Sequence, residues 1–193
     1  MEPTNVSPLF KTATRIEDAG QLDRIIRAVD ERLPAVLHRP EARRLLGGAW
    51  LGHAVHPLLT DLPLGAWTSA TLLDIFGTKR SARAATGLIG FGIVAAIPTA
   101  VTGLSDWSVT DQRSRRVGVV HAAANSVALL FYTRSFFNRL RGRRARGVVQ
   151  ALMGGAAATV GGYLGGHLTL ARGTGIEATE DAMAAREPEP LPV

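Results

Sequence analysis

Four long apolar runs occupy the centre and the C-terminal half of the chain, at 56–77, 85–104, 117–137 and 147–170, with short polar stretches between them. Each approaches the roughly 20 residues that a helix needs to cross about 30 Å of hydrocarbon. The second and fourth carry no charge, the first holds Asp61 and Asp74, and the third has Arg134 near its end, where a long side chain can snorkel. The pattern predicts an all-α protein, a membrane four-helix bundle. A soluble all-α domain would have to keep four helices apolar on every side, with the central charge confined to the loops.

The period changes before these runs. Ile16, Ala19, Leu22, Ile25, Ile26, Val29 and Leu33 recur at three-to-four spacing among charges, which predicts an amphipathic helix opened by a Thr14 to Glu17 capping box and disturbed at Pro34. A second short helix is expected from Pro40 to the Gly47-Gly48 pair. Both helices can lie on the membrane surface with Trp50 as an interfacial anchor, the preferred reading, or dock on a partner protein. The chain thus divides into an amphipathic segment (1–50), the bundle (51–172) and an acidic, small-residue tail (173–193) expected to be flexible.

Composition sharpens this picture. Hydrophobic residues make up 46% of the chain against 20% charged, a balance that leans towards membrane. The absence of cysteine excludes disulfides, thiolate nucleophiles and cysteine-held zinc or iron–sulfur clusters within this sequence. The net charge of +6 raises nucleic acid as a partner, but the arginines flank apolar runs and form no recognised nucleic-acid motif, so none is expected. Loops 78–84 and 138–146 contain Lys79, Arg80, Arg83, Arg139, Arg141, Arg143, Arg144 and Arg146 and no acidic residue. The positive-inside rule places these loops in the cytoplasm and both termini outside. Residues 1–20 lack the apolar core of a signal peptide, so the chain is expected to begin at its initiator.

The fourth run carries Gly154, Gly155, Ala158, Gly161, Gly162, Gly165 and Gly166, and the second Gly92, Ala96 and Ala100. Small residues at this spacing let helix backbones approach closely. Packing within one bundle is the preferred reading; homo-oligomerisation through the fourth helix, or a flat face for a planar cofactor, are the alternatives.

Antiparallel helices bring His53, His56 and Asp61 to the same end as Asp106, His121, Asn125 and His167, leaving only His38 of the five histidines elsewhere. His121 and Asn125 are four apart, as are Tyr163 and His167, so each pair shares a helix face. Two neutral imidazoles can clamp a haem iron, which makes His56, His121, His167 and His53 candidate ligands of haem b. Imidazoles with carboxylates suit a transition metal, giving the set His56, His121, His167, Asp61 and Asp106, with Asn125 and Tyr163 supporting the ligands. Proton relay is a third use, and capping of helix ends a fourth. No nucleophile or acid–base pair stands out, so the residues assign no enzymatic reaction.

The stretches "LGHAVHPLLTDLPLGAWTSATLLDIFG", "TGLSDW", "HAAAN" and "GGYLGGHL" together resemble a bacterial four-helix membrane family known only as a domain of unknown function, whose members carry a double His-Pro signature before the first helix. The resemblance covers about 45–175 and marks His53, His56, Pro57, Asp61, Pro63, Asp106, His121, Asn125 and His167. Ala54 stands where the family has the first His-Pro proline. Members of this family often precede a Rieske iron–sulfur domain. None follows here, so a Rieske-type redox partner is expected to be a separate protein. The resemblance and the histidine layer together imply a plasma-membrane protein that binds haem or a metal within a redox chain. The alternative is a non-catalytic scaffold or anchor whose polar layer is structural.

Overall fold

A computed structural model describes residues 7–175, and within them every element is helical. Three short helices, α1 (Pro8–Glu17), α2 (Asp23–Asp30) and α3 (Pro40–Gly47), precede four long ones, α4 (Val55–Phe76), α5 (Ala82–Trp107), α6 (Gln112–Leu140) and α7 (Arg144–Gly166). The shortest of the long helices has 22 residues, which at about 1.5 Å per residue is roughly 33 Å, enough to cross a hydrocarbon core. Two stretches, Lys79–Trp107 and Arg144–Ala171, are also long and apolar enough, by length and composition, to cross a membrane. The outward faces carry exposed Leu72, Ile75, Phe91, Val94, Ile97, Leu130, Leu152 and Val160. Water penalises such a band and a bilayer does not.

Local chemistry sets the boundaries. Asp111 caps α6 by accepting from the backbone N–H groups of Arg113 (2.9 Å) and Ser114 (3.2 Å). Gly48, at φ +94°, ends α3 as the Gly47-Gly48 pair predicts. Pro63 sits inside α4 and cannot donate to the Leu59 carbonyl four residues back. The Thr99 hydroxyl of α5 donates to that carbonyl instead, at 3.1 Å. A polar group freed by proline inside one helix is thus satisfied by its neighbour.

The four long helices form two closely packed antiparallel hairpins, α4–α5 and α6–α7. Their core is built from small residues around one aromatic pair, Trp67 of α4 stacked on Tyr132 of α6 with centroids 4.0 Å apart. Glycines on the flanking helices make room for these rings. A methyl group on Gly92 would stand 2.3 Å from Trp67 Nε1, and one on Gly154 3.0 Å from the Tyr132 ring. Gly92 and Gly154 therefore serve packing within the bundle.

The N-terminal region differs from its expected form. Helix α1 is capped by Ser7, whose hydroxyl accepts from the Phe10 N–H, and the Thr14 hydroxyl bonds back to the Phe10 carbonyl at 3.1 Å. The Thr14 to Glu17 capping box does not form, because Glu17 is buried and drawn to a long-range partner. The chain then breaks at Asp18–Ala19 and restarts through a 3₁₀ turn, Gly20–Leu22. The resulting helices α1 and α2 dock on the bundle itself. Ala13 is buried against Val117 and Leu164, and Arg116 donates to Asp23 (2.7 and 2.9 Å) and to the Glu17 carbonyl (2.8 Å). Arg115 pairs with Asp30. Charge complementarity with the start of α6 outweighs lying free on a membrane surface.

The docking has a predictable acid limit. The hydrogen bonds from Arg116 and Gln112 hold the Asp23 carboxyl at about 2, below its ordinary 3.8. A depressed carboxylate contributes in full above the ordinary value and loses that contribution as the pH falls towards the folded one. Amide hydrogen exchange over residues 8–30 should therefore stay protected at pH 4 and lose protection near pH 2. Release already complete at pH 4 would contradict this assignment.

Candidate functional site

The end of the bundle at which α4 begins holds the candidate residues, and the structure divides them into separate groups. His56 of α4 and His121 of α6 lie inside the bundle with ring centroids 6.4 Å apart and planes at 82°. His56 Nδ1 lies 2.9 Å from the Thr99 carbonyl of α5, and His121 Nδ1 lies 2.8 Å from the Gly161 carbonyl of α7. A carbonyl can only accept, so each Nδ1 carries the proton and each Nε2 keeps its lone pair. The Asn125 amide nitrogen lies 3.1 Å from His121 Nε2, where it donates to that lone pair. His56 Nε2 has no hydrogen-bond partner among the described residues.

Glycines seat both rings. A methyl group on Gly103 would stand 2.6 Å from His56 Cε1, one on Gly165 3.0 Å from His121 Cε1, and one on Gly161 2.5 Å from Asn125 Oδ1. Each imidazole ties its own helix to the other member of its hairpin through a backbone carbonyl.

His167 points elsewhere. It opens a π-helical turn, His167–Ala171, at the end of α7, and its Nε2 lies 2.7 Å from the Glu17 carboxylate of α1 in a buried contact. Phe10 packs edge-on against the ring. Arg172 reaches Asp111 at 2.9 Å and approaches Glu17 at 3.9 Å. This cluster latches α1 to the bundle and is separate from the His56–His121 pair.

The remaining candidates do not join either group. His53 precedes α4, is exposed, and contacts the carbonyl of its neighbour Gly52. Asp61 lies five residues beyond His56, about 140° further round the helix, and is exposed on the outside. Tyr163 is 37% exposed although it stands four residues before buried His167. Asp106 lines a cavity of about 330 Å³ with Arg43 and Arg44 of α3. Among the described residues no three His, Asp or Glu side chains come close enough to share a metal. The set His56, His121, His167, Asp61 and Asp106 is therefore not assembled. Equal depth along the bundle does not give equal direction around each helix.

The opposite end holds a feature that the sequence reading missed. Asp74 of α4 and Arg139 of α6, each with a side chain 2% exposed, form a two-pronged ion pair, one contact being 3.0 Å. Arg144 of α7 reaches the same carboxylate at 3.3 Å. Arg139 Nε also donates to the Ser135 hydroxyl at 3.1 Å, which donates to the Gly147 carbonyl at 2.6 Å. Only a lone acidic residue near the end of the first apolar run, facing an arginine-rich loop, could have signalled it.

No curated protein and no solved structure matches the chain. A family described as "Predicted membrane protein (DUF2231)" matches residues 52–178. The match takes in α4 to α7 with His56, Asn125 and His121, and leaves out α1 to α3. It covers well over half of the sequence, so the chain belongs to this family of predicted membrane proteins.

Proposed function

We propose that this chain is a multi-pass protein of the bacterial plasma membrane in which His56 and His121 hold one redox-active metal centre of an electron-transfer chain. The observation that carries the reading is the pairing of two imidazoles from different hairpins, each fixed through Nδ1 to a carbonyl. That bond sets the tautomer and leaves Nε2 to coordinate, the arrangement that metal-bound histidines use. Two imidazoles binding one metal from opposite sides, at about 2 Å each, place their centroids roughly 6 Å apart, close to the 6.4 Å observed. Imidazole suits copper, iron, nickel and zinc, and only the first three of these change oxidation state readily.

A bare ion fits the pair more simply than a haem. It requires the two rings and a shift of the Asn125 amide away from His121 Nε2. A haem further requires a slot between the hairpins wide enough for its macrocycle. The arginine-rich end is assigned to the cytoplasm by its charge. The histidine pair then lies in the outer half of the bilayer, beneath α1–α3, within reach of a separate redox protein such as one of Rieske type.

Metal content and the visible spectrum of detergent-purified protein test the proposal. Stoichiometric copper or iron is expected, lost in His56→Ala and His121→Ala and kept in His53→Ala. A stoichiometric Soret band would assign the centre to haem. Neither metal nor haem after supplementation of the growth medium would reject the redox reading, leaving the pair as a structural tie between helices.

A further inference from the structure

At the arginine end a cavity of about 420 Å³ opens between the start of α5 and the junction of α6 with α7, lined by Ala82, Arg83, Thr86, Arg139, Leu140 and Arg144. Three arginines line it, and among the described residues the carboxylate that pairs with any of them is Asp74, which binds Arg139 and Arg144. The cavity is therefore cationic. Arg144 Nε is buried and finds no hydrogen-bond partner among the described residues, so this group has donor capacity to spare. The first turn of α7 borders the cavity and has no side-chain cap on its free N–H groups. The dipole of α7 adds positive potential there.

The surroundings indicate what the anion is. Leu140 is 62% exposed, and Phe76, on the same end of the bundle, is 80% exposed. Apolar surface thus lies beside the cationic cavity at the level where helices leave the membrane. The adjoining loops, 78–84 and 138–146, add Lys79, Arg80, Arg141, Arg143 and Arg146 and hold no acidic residue. Basic pockets between transmembrane helices on the cytoplasmic side suit anionic headgroups.

We infer that this cavity binds the phosphate of an anionic phospholipid of the cytoplasmic leaflet, with Arg83 and Arg144 as its principal contacts and Arg139 held ready by Asp74. Arg139 is committed to the buried pair, so its charge is fixed in place, whereas Arg83 is exposed and Arg144 is anchored only at one end. The inference rests on the bilayer placement of the bundle and is independent of the metal centre.

The test uses the full chain in detergent. Thermal stability is measured with added phosphatidylglycerol, with phosphatidylcholine and with inorganic phosphate, and bound lipid is counted by native mass spectrometry. Phosphatidylglycerol should stabilise the protein and remain bound, phosphatidylcholine should not, and phosphate alone should give little effect. The double variant Arg83→Gln/Arg144→Gln should weaken phosphatidylglycerol binding on the order of tenfold, and the control Arg24→Gln, exposed on α2 at the opposite end of the bundle, should not. Asp74 keeps Arg139 in the double variant, so the bundle itself stays closed. Equal binding by the double variant, or equal stabilisation by phosphatidylcholine, would overturn the assignment. A full effect from inorganic phosphate would replace the lipid by a soluble anion and overturn it as well.

Discussion

Replacing Asp74 by alanine should lower the stability of the detergent-solubilised protein by about 3–5 kcal/mol, a large share of the roughly 5–15 kcal/mol that holds a folded domain together. Asp74 and Arg139 are both almost wholly enclosed, and the guanidinium makes two bonds to the carboxylate while its Nε is held by Ser135. Removing the carboxylate leaves a buried cation held only by the neutral Ser135 hydroxyl among its described partners, beside Arg144, which has the same sign and repels it. Removing both charges should have the opposite effect. Asp74→Ala combined with Arg139→Met removes both charges, and a charge-free pair of similar volume should recover most of the loss. Thermal unfolding of the two variants side by side distinguishes these outcomes. An Asp74→Ala protein as stable as the wild type would show that the pair adds nothing to the closure of α4, α6 and α7.

This ion pair also shows what the sequence leaves unsaid. The long helices were legible because each apolar run is long enough to be nothing else, and α3 was legible because proline and glycine bracket it. Asp74 and Arg139 stand 65 residues apart, and no local pattern joins them. Glu17 misled for the same reason. It fits a capping box three residues after Thr14, yet it bonds His167, 150 residues away, and the helix ends where the box would have begun one. The histidine layer was legible in depth alone. Antiparallel order fixes which residues share an end, but direction around each helix depends on partners, so His56 and His121 meet while Asp61 turns outward and His167 turns to α1. His53 shares that end with His56, although α4 begins only at Val55 and does not carry it.

The latch between α1 and the bundle links the cap to the proposed centre. Glu17, His167, Arg172 and Asp111 form a chain of contacts joining α1, the end of α7 and the start of α6. His121 lies on the same α6 and bonds to α7 at Gly161, six residues before His167. The cap therefore braces the two helices that orient His121.

Gly92→Ala should be among the most damaging of the small substitutions, costing about 1–3 kcal/mol through overpacking. Its added methyl would stand 2.3 Å from Trp67 Nε1 and 2.7 Å from Cδ1. Trp67 has nowhere to retreat, because Tyr132 stacks on its ring and Tyr132 in turn fits against Gly154. Gly92, Trp67, Tyr132 and Gly154 thus form one continuous stack across α5, α4, α6 and α7, and strain at one end is passed to all four helices. Gly162→Ala offers the contrast, since nothing lies within 4 Å of its would-be methyl. Relief of glycine's poor helix propensity should leave that variant neutral or slightly more stable. Melting temperatures of both variants test the stack, and a Gly92→Ala protein that melts like the wild type would refute it. The same pair of sites separates packing from self-association. Gly162 and Gly166 face open space, so a dimer built on the fourth helix would use them, and a bulky Gly162→Leu would dissociate it. Sedimentation of Gly162→Leu unchanged from wild type, together with a destabilised Gly92→Ala, would assign the glycine spacing to the interior of one bundle.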